Sequence, residues 1–176
     1  MIGHMMLGIS LVLVGRISKG RTHLDQAIAL YEPAQHGALA TRFGHDVRMT
    51  AFCWRAFALW LLGYPDAAAD DLQGGLDDAR DVEHAATSMF ALSHVALAHT
   101  FRRDLPAAEA LANELVALGN EKGSLYWKSY GLMLQGWLLV HAGRASDAID
   151  VGTAAVAAIR SIGATAPPQR PFRSFF

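Results

Sequence analysis

Cysteine is almost absent from these 176 residues. Cys53 stands alone, which excludes an internal disulfide framework and suits a reducing compartment. An excess of either charge is missing too: 15 Lys and Arg face 16 Asp and Glu, for a formal charge of −1. The basic residues gather in no stripe able to neutralise a phosphate backbone, so nucleic acid is not an expected partner. No apolar run reaches the ~20 residues that a membrane-spanning helix needs. Met5 to Val14 comes nearest, but no Lys or Arg precedes it and no small-residue cleavage pattern follows. Later apolar runs are broken by Arg55, Gln135 and His141. No membrane association is expected, and the chain reads as soluble and cytoplasmic. Strand-forming patterns are also lacking, since Val, Ile and Thr never alternate over a strand length.

What is abundant is Ala and Leu, within a composition that is 52% apolar. These residues lose least on becoming helical, and there are enough of them for a real core. Four segments share one layout: an apolar helix, a short break, then an Ala-rich amphipathic helix. The breaks are Gly15-Arg16-Ile17-Ser18, Gly63-Tyr64-Pro65-Asp66, Arg102-Arg103-Asp104-Leu105 and Ala142-Gly143-Arg144-Ala145. Shifts of about 40 residues superpose the last three segments. The first needs 48, the excess lying in the loop Glu32 to His45.

In that register small residues form columns. Gly8, Ala56, Ala96 and Gly136 mark the middle of each first helix, and Gly20, Ala68, Ala108 and Ala148 the start of each second helix. Two antiparallel helices joined by a tight break bring their backbones close only where side chains are small. One turn further on stand Leu24, Leu72, Ala112 and Gly152, followed by Ile28, Leu76, Val116 and Val156. First helices are predicted at 3–14, 46–62, 82–101 and 124–142, and second helices at 18–31, 66–80, 104–119 and 145–162. The punctuation agrees. Asp46, Asp66, Asp104 and Ser146 suit helix N-caps or first turns, Pro65 and Pro106 suit helix starts, and Gly15, Gly63 and Gly143 suit left-handed ends.

The columns resemble the tetratricopeptide (TPR) motif, with small residues at its eighth, twentieth and twenty-seventh places. The last column reads Ala27, Gly75, Leu115 and Ala155, so the third unit departs there. The period also exceeds the 34 residues of simple TPR units, and the usual terminal proline is missing apart from Pro33, one place late. The expected fold class is all-α: a right-handed, TPR-like α-solenoid of about four antiparallel helix hairpins. Residues 1–163 form the repeat domain and 164–176 an irregular, Pro-rich tail.

Six stretches carry a closer resemblance: LGISLVLVG (7–15), HLDQAIALYEP (23–33), LATRFGHDVR (39–48), ALWLLGYPDAA (58–68), ALANELVALGNEKGSLYWKSYG (110–131) and MLQGWLL (133–139). They resemble the C-terminal helical-repeat tail of bacterial multidomain proteins that join a class III adenylate/guanylate cyclase domain to an AAA-type ATPase domain. The resemblance spans about residues 4–165. It implies a regulatory or docking role but carries no catalytic residues across, for the cyclase and ATPase domains have no counterpart here. No G-x-x-x-x-G-K-[ST] loop occurs, nor paired aspartates in a strand. From Gly163 onward the chain departs from the family, because APPQRPFRSFF holds three prolines where a helix should follow. The expectation is a truncated or frame-shifted piece of a longer signalling protein.

Chemistry-bearing residues read as structural. His94 and His99 lie five apart on one helix, on different faces, whereas metal-ligand pairs prefer three or four. His84 is too distant from His94 to share an ion, and His36, His45 and His141 lie on or near loops. Asp70-Asp71 and the acidic run Asp77 to Glu83 read as a solvated face. Cys53, between Phe52 and Trp54, reads as an inert packed thiol, and no nucleophile stands on a sharp turn. No enzyme activity, cofactor or metal is expected of this chain.

A partner groove is the candidate site. The columns expected on a concave face include Phe57 with Trp137, Trp60, Phe90 with Tyr130, and Met133. Arg48 and Lys128 flank one end and could favour an acidic partner. The expected partner is a peptide or helix of another protein, or another domain of a parent protein. Most of these side chains could equally fill hairpin interfaces. MMLGISLVLV is apolar nearly all round, which predicts self-association through the first hairpin. The function read from the sequence is a non-catalytic, protein-interacting regulatory scaffold. Its alternative is the regulatory C-terminal part of a nucleotide cyclase with an ATPase domain, acting in cyclic-nucleotide signalling.

Overall fold

A computed structural model describes residues 1–81 and 84–163, and among them every regular element is a helix. The expected Pro-rich tail, 164–176, lies outside the described residues, as do positions 82 and 83 of the expected helix 82–101. In chain order the helices are α1 (Ile2–Leu13), α2 (Ile17–Ala29), α3 (Pro33–His36), α4 (Leu39–Phe43), α5 (Val47–Leu61), α6 (Pro65–Asp81), α7 (Ala85–Phe101), α8 (Leu105–Glu121), α9 (Leu125–His141) and α10 (Ala145–Ser161). Eight of them fall on the expected segments, within two residues at every end except the start of α7. The two short ones, α3 and α4, occupy the long loop between α2 and α5 and were not expected.

Local signals explain these ends. Asp46 caps α5, its Oδ1 accepting from the Met49 N–H at 2.9 Å, and Asp104 caps α8 through the Ala107 N–H at 3.4 Å. Asp66 lies in the first turn of α6, where a negative charge meets the positive helix end. Ser146 does not cap: α10 starts one residue earlier, after Arg144, and its N-terminus receives no side-chain bond. Gly15, Gly63 and Gly143 turn the chain with φ of 81°, 86° and 76°. The third break has no glycine, and Arg103 takes the left-handed conformation instead, with φ 59°.

The chain divides into two compact units, Met1–Val95 and the residues from Ala96 onward, with the boundary inside α7. In the first, α1 packs on α2, α2 on α5, and α5 on α6. Met5, Val12, Leu24, Ala27, Val47, Ala51 and Ala58 form its apolar cluster, with Ile9, Ile28, Trp54 and Phe57 at the margin. Leu24 is fully buried, and such burial stabilises by about 1.5–3 kcal/mol. In the second unit α9 packs against both α8 and α10, around Ala108, Ala112, Leu115, Leu134, Ala155 and Ile159.

The small-residue columns mark close helix approaches inside the hairpins. A Cβ placed on Gly8 would stand 3.0 Å from the Gly20 carbonyl oxygen, and one on Gly20 would stand 2.8 Å from that of Gly8. The corresponding place in the last hairpin pairs Gly136 with Ala148, where a Cβ would meet the Ala148 oxygen at 3.4 Å. Ala56, Ala68, Ala96 and Ala108, the intervening members of both columns, are all buried.

Candidate functional site

Of the residues expected to line a groove, Arg48, Phe57, Trp60 and Phe90 belong to the first unit and Lys128, Tyr130, Met133 and Trp137 to the second. Within the first unit, Phe57 packs on the apolar cluster and meets Trp54 edge-on at 6.2 Å. Trp60, in the last turn of α5, is half-buried. Arg48 is already engaged. Its guanidinium lies 3.2 Å from Asp78, 5.8 Å from the Tyr31 ring centre and 5.2 Å from that of Phe52. Thr50, Cys53 and Ser93 are buried. Burial pushes the Cys53 thiol well above its ordinary pKa, keeping it protonated.

Within the second unit the aromatic residues gather on α9. Tyr130 lies 6.5 Å from Tyr126 and 6.1 Å from Trp127, ring centre to ring centre. Burial, reinforced by Tyr126, pushes the Tyr130 hydroxyl up to about 12. Met133 is half-buried, whereas Trp137 is 40% exposed and has Phe101 beside it at 6.3 Å. Val140, one turn further along α9, is 56% exposed. Lys128 Nζ donates to Asn120 Oδ1 at 2.9 Å. Met133, Trp137 and Val140 follow one another at helical spacing and form a stripe that grows more exposed toward the C-terminal end of α9.

Arg55 and Asp71 depart from expectation. Asp71 was read as part of a solvated acidic face, yet its side chain is only 11% exposed. Arg55 on α5 grips it with two hydrogen bonds, of 2.6 and 2.7 Å, and reaches Asp25 on α2 at 3.0 Å. The pair therefore ties α5 to α6 and α2 rather than facing solvent, because a fork-shaped guanidinium binds a carboxylate bidentately and shields it from water. Asp70, its neighbour, is exposed as expected.

Comparison with known proteins returns nothing for this sequence: no family model, curated protein or solved structure matches it.

A polar cluster in the first unit has no counterpart in the sequence-based reading. The Tyr31 hydroxyl donates to Asp46 Oδ2 at 2.6 Å, and the Asp46 N–H donates to Thr87 Oγ1 at 2.9 Å. Thr87 Oγ1 lies 2.9 Å from His84 Nδ1, and the Thr87 N–H also points at that nitrogen, at 3.3 Å. A backbone N–H can only donate, so His84 Nδ1 is the acceptor and the ring keeps its proton on Nε2. His84 thereby caps the N-terminus of α7. Beside this chain, the His45 ring stacks on Phe90 at 4.6 Å, and Phe90 on His94 at 4.2 Å.

Three further histidines pair elsewhere. His4 and His23 meet Nδ1 to Nδ1 at 2.9 Å, one donating and the other accepting, and His99 contacts Asp104 at 3.0 Å. Among the described residues, no three His, Cys, Asp or Glu side chains converge as metal ligands would. Both Asp46 oxygens accept hydrogen bonds, so the cluster fastens chain segments to one another instead of presenting a free base. The signal that could have found it was the pair of residues bracketing the long loop, Tyr31 and Asp46.

Proposed function

We propose that this chain is a non-catalytic protein-interaction scaffold built from TPR-like hairpins, with α9 as its main contact surface. The observation that carries the reading is the Met133–Trp137–Val140 stripe. A tryptophan left 40% exposed beside an exposed valine is apolar surface that the second unit itself does not bury. Tryptophan is also the residue most able to anchor a partner, since it buries a large area at small entropic cost. The partner that fits is an apolar or amphipathic peptide or helix. The repeated small-residue columns and the paired helices within each unit support the TPR-like part of the reading.

The six quoted stretches support a further proposal, that the chain serves as a regulatory helical tail in cyclase–ATPase signalling inside the cell. Self-association belongs to the same reading: Met6, Leu7, Leu13 and Val14 on and just after α1 are exposed, Val14 by 70%. Pull-down with the intact chain, repeated with Trp137→Ala and Tyr130→Ala, tests the contact surface. Loss of the captured partner with Trp137→Ala is expected, and unchanged capture by both variants would remove α9 from consideration. Sizing chromatography tests self-association; a stable monomer at high concentration would overturn it.

A further inference from the structure

We propose that the stripe on α9 receives an acidic amphipathic helix, and that Arg102 and Arg103 select the charge of this occupant. The inference rests on α9 as the contact surface and adds the chemistry of what lies against it. Tyr126, Tyr130, Met133, Trp137 and Val140 recur at steps of three or four residues, and so follow one side of α9 over about 21 Å. The first three are half-buried, whereas Trp137 and Val140 at the C-terminal end are open. A second helix with apolar residues three and four apart lays its own stripe along such a ridge.

Charge decides between an acidic and a basic occupant. The acids of the second unit are Asp104, Glu109, Glu114, Glu121, Asp147 and Asp150, and each belongs to α8, to α10 or to the cap of α8. None lies on α9, nor on the stretch of α7 from Ala96 to Phe101. The cations are placed differently. Lys122 is paired with Glu121, Arg144 with Asp147, and Lys128 donates to Asn120. Arg102 and Arg103 are exposed, and among the described residues neither side chain has an ion pair or hydrogen bond. They directly follow Phe101, whose ring lies 6.3 Å from that of Trp137, at the open end of the stripe. Asp104, next in the chain, is already engaged by His99 and by the N-terminus of α8.

Two uncommitted guanidinium groups beside open apolar surface attract carboxylates on the rim of a partner and repel ammonium groups there. The cations singled out in the sequence do not supply this preference, because Arg48 is held by Asp78 in the first unit and Lys128 by Asn120. An exposed ion pair strengthens binding by about 1.5- to 5-fold, so the two arginines together give roughly tenfold. The formal charge of the whole chain, −1, works in the opposite sense, so a preference for an acidic helix cannot come from net charge.

Fluorescence anisotropy tests the assignment, with the full chain titrated into dye-labelled helical peptides of about 15 residues, long enough to match the stripe. One peptide carries leucine along one face and glutamate elsewhere, and a second has lysine in place of every glutamate. At about 50 mM salt the glutamate peptide is expected to bind roughly tenfold tighter than the lysine peptide, and most of that gap should close at about 500 mM. Arg102→Gln combined with Arg103→Gln should narrow the gap to less than about threefold, while Trp137→Ala should weaken both peptides. Equal affinity for the two peptides, or a gap undiminished in the arginine variant, would overturn the acidic assignment and leave α9 as a contact surface. Binding of neither peptide, or binding untouched by Trp137→Ala, would remove the surface itself and this proposal with it. If the arginine variant does not fold, the gap in the wild-type chain and its response to salt decide.

Discussion

Gly8 and Gly136 fall in the same small-residue column of the sequence, yet alanine at the two positions should change stability in opposite directions. Both glycines sit in the middle of a helix, α1 and α9 respectively, where alanine is favoured by about 1 kcal/mol. What differs is the space. At Gly8 the new methyl would lie 2.7 Å from Leu24 Cγ and 3.0 Å from the Gly20 oxygen. Leu24 is fully buried, the atom met is its branch carbon rather than the free end of the side chain, and the Gly20 oxygen is backbone. Overpacking of this kind costs about 1–3 kcal/mol, which at the middle of that range reverses the helical gain and leaves a net loss of about 1 kcal/mol. At Gly136 the nearest atoms are the Ala148 oxygen at 3.4 Å and the Gly152 nitrogen at 3.8 Å, ordinary contacts. There the gain of about 0.5–1 kcal/mol should survive, consistent with alanine, as Ala56 and Ala96, in the same column of the sequence. Urea denaturation followed by far-UV circular dichroism measures both, with tryptophan fluorescence reporting each unit through Trp54 and Trp60 or Trp127 and Trp137. Shifts of the same sign in Gly8→Ala and Gly136→Ala would refute the close-approach argument for the first hairpin.

Three further outcomes are expected from the same denaturation assay. Arg103→Gly should raise stability by about 1 kcal/mol, because an L-residue held at φ 59° gives up about 1–2 kcal/mol that glycine does not, less the extra chain entropy of glycine; an unchanged midpoint would mean that the arginine side chain offsets its backbone. Ser129→Ala should stabilise by about 1 kcal/mol, since Ser129 Oγ is the one buried side-chain polar atom without a hydrogen-bond partner among the described residues; destabilisation would show that the hydroxyl is satisfied in solution. Arg55→Met should destabilise by about 2–4 kcal/mol by stripping a largely buried Asp71 of its partner, and adding Asp71→Leu should recover most of the loss; a double variant as unstable as the single one would show that the arginine stem, not the charge pair, carries the effect.

The helices were legible because the forces that set them are local. Gly15, Gly63 and Gly143 end helices by adopting left-handed backbone, and Asp46 and Asp104 begin them by capping, each within four residues of its effect. The small-residue columns were legible because close backbone approach tolerates so few side chains. Polar partnerships were not. Asp70 and Asp71 are adjacent and chemically alike, and only the position of Arg55, 16 residues before Asp71 on a neighbouring helix, makes one solvated and the other enclosed. Asp46 and Thr87 are 41 residues apart, and nothing in the local sequence marks threonine as the link between two caps. The aromatic residues of the candidate groove lie on α5, α7 and α9. How far each is buried depends on what packs beside it, so Phe57 joins a core while Trp137 remains open.

The long stretch between α2 and α5 shows how such polar links let a connection vary its length. Replacing a break of a few residues by the stretch between α2 and α5 raises the entropy of closing the chain by about 1–2 kcal/mol, since that term grows only with the logarithm of length. The hydrogen bond from Tyr31 to Asp46 clamps the two ends of this stretch, 15 residues apart, and a bond to a charged acceptor contributes about 1.5–3 kcal/mol. The two magnitudes are similar, so the insertion can be carried without weakening the helix pairs on either side. The same Asp46 caps α5 and, through its N–H, reaches Thr87 at the start of α7. One carboxylate-bearing residue thus secures a loop, a helix start and a neighbouring helix. That concentration of roles explains why the longest connection between two helices of this unit is tied down by polar bonds rather than by apolar packing.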